Sequence, residues 1–538
     1  MKKIYLSVAF LATVLTANAG GYLTNTNQSV AFLRNPAQGA VIGIGGVYAN
    51  PAGVSFMKPG FHLGVNWQAA FQTREVTSTF APFAYGVGNN GAEKYFEGRA
   101  AAPVIPSLNA AYVRNRWNVQ FGFGVVGGGG KAEFEQGLGS FESQVALLGM
   151  LGANQKLGFD KYAVDAFMRG KQYYFGFTAA TGYKINDHLS ASVGLRGVYA
   201  NANYYGYLRN LQINAGPGQA MVSAPAYFSA ASQDLAGKAA QAAAAAQQYQ
   251  TAAEQAAAAG NTAAAQQAAA AAQQYKQGAE QAAAGARTMG VLAAATQDVT
   301  LNADQTAFGI APIVGLHYHH DCFDVAVKYE FATRLSFKNQ SANSASADNL
   351  AALAAFKDGA TVRGDIPAML TIGAQYRPIS SLRLNAGYHY YFDKQAKHGT
   401  AATGWKNELL NGGTQEVLFG AEYDLSDKFE ISAGYQRTIY PNTDAYMNDL
   451  SFTTSSSSVG LGIGYRLNDR IKLNVGYLQT FYDNYDKATN NYNNTANIVK
   501  VAQGETAANA LIAAGALQGK DSFTRSSKVL GMGVELSF

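Results

Sequence analysis

The chain has 538 residues, of which 48% are apolar and only 14% are Asp, Glu, Lys or Arg, and it is rich in glycine (58) and tyrosine (32). Soluble proteins carry about 25% charged residues, and disordered chains combine low hydrophobicity with high charge, so this composition argues against a disordered chain. After the first twenty residues no apolar run reaches the length of about 18 residues that a membrane-spanning helix needs. The composition instead favours a transmembrane β-barrel, which carries apolar side chains on alternate residues.

The N-terminus has the pattern of a secretory signal peptide, residues 1–19. Lys2 and Lys3 precede a mostly apolar stretch, and Ala17-Asn18-Ala19 matches a small-x-small cleavage site. We therefore expect the mature chain to begin at Gly20. Removing the two lysines from the formal charge of +5 leaves +3, a value that gives no support for a nucleic-acid partner.

Alternation of apolar residues with small or polar ones predicts strands over most of the chain. It is clear in residues 382–391 and 429–436, and the sequence Tyr-x-Leu/Ile-Asn/Ser-Asp recurs where one strand turns into the next, at Tyr183, Tyr423 and Tyr465. Asn and Asp suit tight turns, and tyrosine at a strand end suits a membrane interface. The predicted strands are 60–77, 104–114, 117–133, 169–184, 188–208, 305–318, 322–338, 361–378, 381–397, 413–424, 427–440, 455–467, 469–483 and 525–538.

These fourteen strands predict an all-β membrane protein, a fourteen-stranded antiparallel transmembrane β-barrel, because bacterial barrels have an even number of strands. The last strand alternates Leu530, Met532, Val534 and Leu536 with small or polar residues and ends in the aromatic Phe538, which is typical of outer-membrane barrels. A large soluble β-sandwich or propeller is the alternative fold.

The segment 20–59 is rich in Gly, Asn and Ala and predicts an N-terminal hatch that plugs the barrel, since a barrel of this size leaks if it is open. A disordered leader is the alternative. The predicted organisation is a signal peptide (1–19), a hatch (20–59) and a barrel (60–538), with an extracellular Ala/Gln-rich helical insertion at 215–300.

Within that insertion, residues 234–286 are dominated by Ala, Gln and Glu, which are strong helix formers. Two similar copies, 242–260 and 268–285, are separated by Gly260-Asn261. We expect an antiparallel helical hairpin outside the cell, each copy about 40 Å long. The hairpin is either a capture or partner-binding surface or a low-complexity segment without a function.

Four segments resemble the FadL-like long-chain fatty-acid outer-membrane transporters, a family that includes importers of aromatic hydrocarbons. They are 50–59, beginning Asn-Pro-Ala, then Ala-Pro-Val-Ile-Pro-Ser-Leu-Asn at 102–109, 122–134, and Asp-Ile-Pro-Ala-Met at 365–369. The resemblance implies a monomeric fourteen-stranded barrel with a hatch. It also implies a hydrophobic pocket whose ligand leaves sideways into the membrane through a gap at a kinked third strand.

The chain departs from the family pattern in three places. The hatch has a second Asn-Pro-Ala copy at 35–37, the loop between strands five and six is enlarged, and the loop at about 484–524 is long. These departures leave the identity of the ligand open.

The candidate ligand-binding or gating residues lie in the third strand and in the hatch. Four consecutive glycines weaken a strand and mark a bulge or a bend, and a flexible connection between two shorter strands is the alternative. By resemblance, the first mature residues reach into the pocket and an Asn-Pro-Ala copy ends the hatch. The candidates are Gly127, Gly128, Gly129, Gly130, Gly20, Gly21, Tyr22, Leu23, Asn50, Pro51 and Ala52.

Alternation also predicts polar residues that face the lumen: Arg196, Lys328, Glu330, Arg334, Arg363, Arg383 and His389. A carboxylate ligand needs a cation, and a guanidinium matches its geometry. Arg196 and Arg209, on or just past the fifth strand, are the candidate carboxylate partners. Mutual pairing of the lumen charges is the alternative.

The sequence contains no nucleophile elbow or metalloprotease motif, and its single cysteine, Cys322, has no second cysteine to pair with. We therefore expect no enzyme activity, cofactor or metal. The expected function is passive transport of long-chain fatty acids or other hydrophobic small molecules across a Gram-negative outer membrane, by a monomer that contacts outer-membrane lipid. A general porin, or a surface barrel whose helices bind a partner, is the alternative, and a barrel enzyme is a third class.

Overall fold

The computed structural model describes residues 29–155, 158–348 and 351–538. The expected signal peptide and the start of the hatch, including Gly20, Gly21, Tyr22 and Leu23, lie outside the described residues. The described chain forms the predicted barrel, in which fourteen antiparallel strands close into a ring.

Each strand pairs with the next along the chain, and the last pairs with the first, Trp67 lying opposite Met532. The strands are β1 Gly60–Phe80, β2 Glu93–Arg114, β3 Trp117–Phe134, β4 Tyr162–Lys184, β5 Leu189–Asn214, β6 Val299–His320, β7 Phe323–Glu330 continued by Ser336–Ser341, β8 Thr361–Gly364 continued by Met369–Ile379, β9 Leu382–Tyr391 continued by His398–Thr400, β10 Gln415–Asp424, β11 Phe429–Ile439, β12 Ser456–Asn468, β13 Ile471–Tyr482 continued by Tyr485–Thr489, and β14 Gly519–Ser537.

The outer surface carries an apolar belt because successive side chains of a strand point to opposite faces. In β4, Phe175 and Phe177 point outward, whereas Gln172 and Thr178 point inward and are buried. Large exposed apolar side chains continue the belt around the barrel, as in Phe121, Leu195, Phe308, Ile372, Phe419 and Leu461. An apolar belt of this kind matches the hydrocarbon region of a bilayer.

Several strands are longer than the alternation predicted, and some are interrupted. β2 begins at Glu93 and β6 at Val299. The first residues of both strands alternate only weakly in sequence, but they pair with the neighbouring strands β1 and β5. The prediction of continuous strands at 322–338, 361–378 and 381–397 was wrong, because β7, β8 and β9 are each interrupted and resume as a second segment.

The two ends of the barrel differ. Short turns such as 115–116 and 469–470 join strands at one end, here called the turn end, and long connections lie at the other, the loop end. None of the helices in the described ranges has the length and apolarity to cross a membrane. The α-helices are α1 Val30–Arg34, α2 Gly46–Ala49, α3 Gly139–Gln155, α4 Ala224–Ala258, α5 Thr262–Ala295, α6 Ala345–Asp348, α7 Ala496–Gln503 and α8 Glu505–Ala513.

Helices α4 and α5 form an antiparallel hairpin at the loop end. Gly260, with φ of +76°, makes the turn, and the rings of Tyr249 and Tyr275 stack with centroids 5.3 Å apart. With 35 residues in α4, the hairpin is about 50 Å long. Its base is buried at Phe228, which packs against Phe159.

Helices α3, α7 and α8 cover part of the loop end. The sequence did not predict α3, whose residues from Phe141 to Met150 are almost all buried. The side chains of α3 and α7 share an apolar cluster with Phe80, Phe83 and Tyr492. These helices narrow the opening of the barrel at its loop end.

Candidate ligand cavity and hatch

The hatch segment, residues 29–59, lies inside the barrel against the inward faces of the strands. Its helix α1 is capped by Ser29, whose hydroxyl accepts a bond from the Phe32 amide, and ends at Arg34. The guanidinium of Arg34 is buried, donates to Ser432 Oγ at 2.8 Å and also bonds Glu430 and Asn474. An ion pair buried this deeply fixes the position of α1 on the wall.

The two Asn-Pro-Ala copies adopt the same local structure. Asn35 Oδ1 accepts a bond from the Ala37 amide at 3.1 Å, and Asn50 Oδ1 accepts one from the Ala52 amide at 3.2 Å. Each amide nitrogen then reaches the wall, Asn35 Nδ2 to a carboxylate of β10 and Asn50 Nδ2 to a carbonyl of β6. The second copy is therefore a second wall contact of the same type.

Wall glycines make room for these asparagines. A Cβ on Gly420 would lie 1.8 Å from Asn35 Oδ1, and a Cβ on Gly315 would lie 2.5 Å from Asn50 Oδ1. Both distances are far below van der Waals contact, so any larger residue would displace the hatch segment. Part of the high glycine content thus serves close packing of the hatch on the wall.

Arg196 holds the hatch and does not line the cavity described below. Its guanidinium bonds Glu330 at 2.5 Å and Thr178 at 3.0 Å, and lies 4.4 Å from the ring centroid of Tyr48 in the hatch. Lys328 donates to the carbonyl of Tyr48 at 3.1 Å. The prediction that Arg196 faces inward is correct, but its charge is already paired with Glu330.

Arg209 is on the wrong face for the predicted role. It shares the outer face of β5 with Tyr207, whose ring centroid is 4.4 Å away, and donates to Thr300 Oγ at 3.0 Å. Because side chains alternate along an unbroken strand, residue 209 and residue 196 must point to opposite faces. The prediction of Arg209 as a carboxylate partner was wrong.

Most other charges of the lumen pair with each other, as the alternative interpretation expected. Arg383 bonds Asp424 at 2.7 Å and Glu430 at 2.9 Å, and Arg363 bonds Asp365 at 2.7 Å. His389 bonds Glu416 at 2.8 Å. These networks solvate the lumen and leave little free charge there for a ligand.

The four glycines, Gly127–Gly130, form a bulge in β3. Gly128 and Gly130 have φ of +94° and +70°, and the pairing with β4 shifts register twice across this stretch. A Cβ on Gly128 would lie 2.4 Å from the carbonyl oxygen of Gln172. Glycine is therefore required by both the dihedral angle and the close backbone approach.

Beside this bulge, β2 and β3 separate. Their ladder runs from Ala100–Ala132 directly to Leu108–Phe123, so residues 101–107 and 124–131 make no ladder pair with each other. Pro103 and Pro106 lie in this part of β2 and have no amide hydrogen to donate. The ladder between β2 and β3 is thus interrupted over this stretch, and we call this region the β2–β3 gap.

A cavity of about 350 Å³ lies against this gap on the inside of the barrel. Its lining includes Ala102 and Val104 from β2, together with Val125 and Gly127 from β3. Val104 is also 67% exposed, so the same residue faces the cavity and the outside. The deeper lining is mostly apolar and includes Ala70, Phe134, Leu138, Met168, Leu478 and Val529.

Two arginines are the charged residues of this lining. Arg74 of β1 and Arg525 of β14 lie directly opposite each other in the ladder. Arg74 donates to the carbonyl of Phe452 at 3.0 Å, and Arg525 donates to Gln72 Oε1 at 3.2 Å. Both Nε groups are buried without a hydrogen-bond partner, and neither arginine forms an ion pair with a carboxylate of the described chain.

Like charges directly opposite in a sheet repel each other, so a bound anion would stabilise this pair. The sequence did not predict a ligand-binding role for either residue. The alternation along β14 could have placed Arg525 inward, but nothing in the sequence shows that residues 74 and 525 meet.

Comparison with solved structures finds the same fold. A Pseudomonas aeruginosa FadL homologue superposes with a TM-score of 0.55 and 11% sequence identity, over 95% of this chain and 98% of that chain. The Ralstonia pickettii toluene transporter TbuX gives a TM-score of 0.49 with 12% identity, over 97% and 99% of the two chains.

Neither a protein-family model nor a curated protein matches the chain. At 11% identity the structural similarity establishes the fold alone, and it covers nearly the full length of both chains. The chain therefore has the FadL-type barrel fold.

Proposed function

We propose that this protein carries hydrophobic molecules with an anionic head, most simply long-chain fatty acids, across a Gram-negative outer membrane. The carboxylate binds Arg74 and Arg525, the apolar tail lies in the 350 Å³ cavity, and the molecule leaves into the membrane through the β2–β3 gap. The hatch segment blocks the path through the barrel. The similar structures point the same way, since their descriptions name a FadL homologue and a toluene transporter.

The observation that carries the proposal is the unbalanced arginine pair within an apolar cavity. Most lumen cations already have a carboxylate partner, whereas Arg74 and Arg525 face each other and keep buried donors free. A carboxylate would accept bonds from both and would remove their repulsion. The cavity volume also falls in the usual range for small-molecule sites, about 300–1,000 Å³.

The β2–β3 gap supports sideways release. A molecule that leaves there passes from an apolar cavity into an apolar membrane, so its tail avoids water. The bulge at Gly127–Gly130 and the two prolines of β2 keep the ladder open without unfolding either strand. The contacts of Arg34 and Tyr48 with the wall support this path over the channel of a general porin, because they hold the hatch segment inside the barrel.

Binding of oleate and of oleyl alcohol to the purified protein tests the head-group assignment. The two ligands share one tail and differ in charge. In the double variant Arg74→Gln/Arg525→Gln we expect oleate to bind roughly 100- to 10,000-fold more weakly, because the variant removes two charge-assisted bonds that contribute about 1.5–3 kcal/mol each. The affinity for oleyl alcohol should change little, since its tail contacts are intact.

The matched control is Arg437→Gln, which removes an outward-facing cation that is paired with Asp483. It should bind both ligands as the unchanged protein does. Equal weakening of oleate and oleyl alcohol in the double variant would contradict the head-group assignment, because it would indicate damage to the cavity.

A further inference from the structure

A group of three cations lies on the outer face of the barrel beside the β2–β3 gap. Lys131 of β3 and Lys171 of β4 are direct ladder partners, so their side chains point to the same side, and both are exposed. Arg169, two residues before Lys171, shares this face. We call Lys131, Arg169 and Lys171 the outer cation group. Opposed lysines destabilise a sheet unless a negative charge is present.

Two of these cations contact tyrosine rings and form no ion pair with a carboxylate among the described residues. Arg169 lies 5.2 Å from the ring centroid of Tyr205 and donates to Asn203 Oδ1 at 3.2 Å, and Lys171 lies 5.5 Å from the ring centroid of Tyr173. Neither forms an ion pair anywhere in the described ranges. Aromatic rings hold a cation in place and leave its donors free for an anion.

Carboxylates near the group balance only part of its charge. Glu133 bonds Lys131 at 2.7 Å, and both side chains are partly exposed. Asp165, also on β4, is exposed and lies in the ladder opposite Arg209. Glu133 is also the ladder partner of Arg169, and Asp304 accepts a bond at 2.9 Å from Asn203, the ladder partner of Lys171. Neither carboxylate forms an ion pair with Arg169 or Lys171 among the described residues, so the donors of these two cations remain open to a further anion.

The height of the group on the barrel matches that of lipid headgroups. Along the outer face of β4, Phe177 and Phe175 belong to the apolar belt, Tyr173 follows, and Lys171 and Arg169 come next towards the loop end. Tyrosine at this position is typical of the boundary between hydrocarbon and headgroups. A cation one step beyond that boundary can reach the charged part of a lipid while the acyl chains lie along the belt.

Other outward-facing cations of the loop end are either paired or isolated. Arg437 bonds Asp483 at 2.5 Å, and Lys520 bonds Asp486 at 3.1 Å. Lys338 of β7 and Lys528 of β14 are exposed and stand alone on their strands. The clustering of three cations on two adjacent strands is thus a feature of the wall beside the gap.

We propose that the outer cation group binds the phosphate of a membrane lipid headgroup. A phosphate offers several strong acceptor oxygens, which match the donors of Lys131, Arg169 and Lys171. The bound lipid stands in the leaflet at the loop end, immediately beside the β2–β3 gap. The proposal does not depend on which molecule the cavity carries.

Native mass spectrometry tests this assignment. The full-length protein is mixed with lipid in detergent, and the spectrometer detects the lipid that stays bound after the detergent is removed. The probes are dioleoylphosphatidic acid, dioleoylglycerol, which has the same chains without phosphate, and inorganic phosphate. We expect the protein to retain phosphatidic acid with an affinity about tenfold above that for dioleoylglycerol. The variant Lys131→Gln/Arg169→Gln/Lys171→Gln should lose this preference.

The control variant Lys338→Gln/Arg437→Gln/Lys528→Gln also removes three outward cations, and it should keep the preference. Should the site variant fail to fold, Lys171→Gln alone, at an exposed position, is expected to weaken phosphatidic acid severalfold. Equal losses in the site and control variants would overturn the proposal. So would inorganic phosphate binding as tightly as the lipid, or loss of phosphatidic acid in the Arg74→Gln/Arg525→Gln variant, which would place that lipid inside the cavity.

Discussion

At the scale of single residues, the partners of a charge determine its role more than the face on which it lies. Arg196 and Arg74 both point inward, but Arg196 is held by Glu330 and Arg74 has no carboxylate partner. The alternation of the sequence could predict the face of Arg196 because the face depends only on local spacing. It could not predict the partners, since they lie on strands far away in the sequence.

A buried lysine at the loop end predicts a pH dependence of stability. Lys406 is buried, donates to the carbonyl of Ser451 at 3.1 Å and lies 4.4 Å from the ring centroid of Tyr446. Burial, with smaller contributions from the positive charges of Lys487 and Arg74, lowers the pKa of Lys406 from 10.5 to about 7. Between these values the unfolded chain binds a proton that the folded chain does not, so stability rises with pH from about 7 upward.

The variant Lys406→Met lacks this pH-dependent contribution to the free energy of unfolding. Between pH 6 and pH 9 we expect the unchanged protein to gain about 3 kcal/mol more stability than the variant, since one pKa unit corresponds to about 1.4 kcal/mol. Thermal unfolding in detergent across this range measures the difference. The exposed turn residue Lys428, changed to Met, is the control and should leave the slope as it is. Equal slopes for Lys406→Met and the unchanged protein would contradict the assignment.

At the scale of elements, β3 contains a bulge whose position the sequence predicted. Four glycines in a row predicted a bulge or a bend, and the positive φ angles of Gly128 and Gly130 show the bulge. The extent of the gap was not predictable, because it depends on which residues of β2 pair with β3. Its role as an exit stays a prediction.

Removal of the outer part of the helical hairpin should have little effect on the barrel. The outer parts of its two helices pack against each other, through pairs such as Tyr249 with Tyr275, whereas its base is buried at Phe228. We expect replacement of residues 236–284 by a short Gly-Ser linker to leave oleate affinity and the heat-dependent gel shift of the barrel unchanged.

Oleate uptake by cells, measured in the same variant, separates the two interpretations of the hairpin. Reduced uptake with unchanged affinity would support a capture surface, and unchanged uptake would support a segment without a role in transport. A large loss of oleate affinity would contradict the view that the hairpin is independent of the cavity.

At the scale of the whole molecule, the sequence predicted the wall better than the contents of the barrel. Strand number and inward or outward faces follow from a local period of two, which each strand carries by itself. The cap by α3 and the meeting of residues 74 and 525 are long-range contacts, which no local pattern encodes. The glycines reflect both the local pattern and long-range contacts. Gly315 and Gly420 fit the alternation as ordinary small residues, but their close contact with the hatch segment appears only in the folded structure.

The most direct test of the central claim, sideways exit through the β2–β3 gap, is a reversible block of that gap. Val104→Cys, in a chain whose own Cys322 is changed to Ser, places a thiol at a residue that faces both the cavity and the outside. Modification with a bulky methanethiosulfonate should reduce oleate uptake to that of cells without the protein, and a reductant should restore it. Leu461→Cys, exposed on β12, is the control. Full uptake by completely modified Val104→Cys protein would contradict the account.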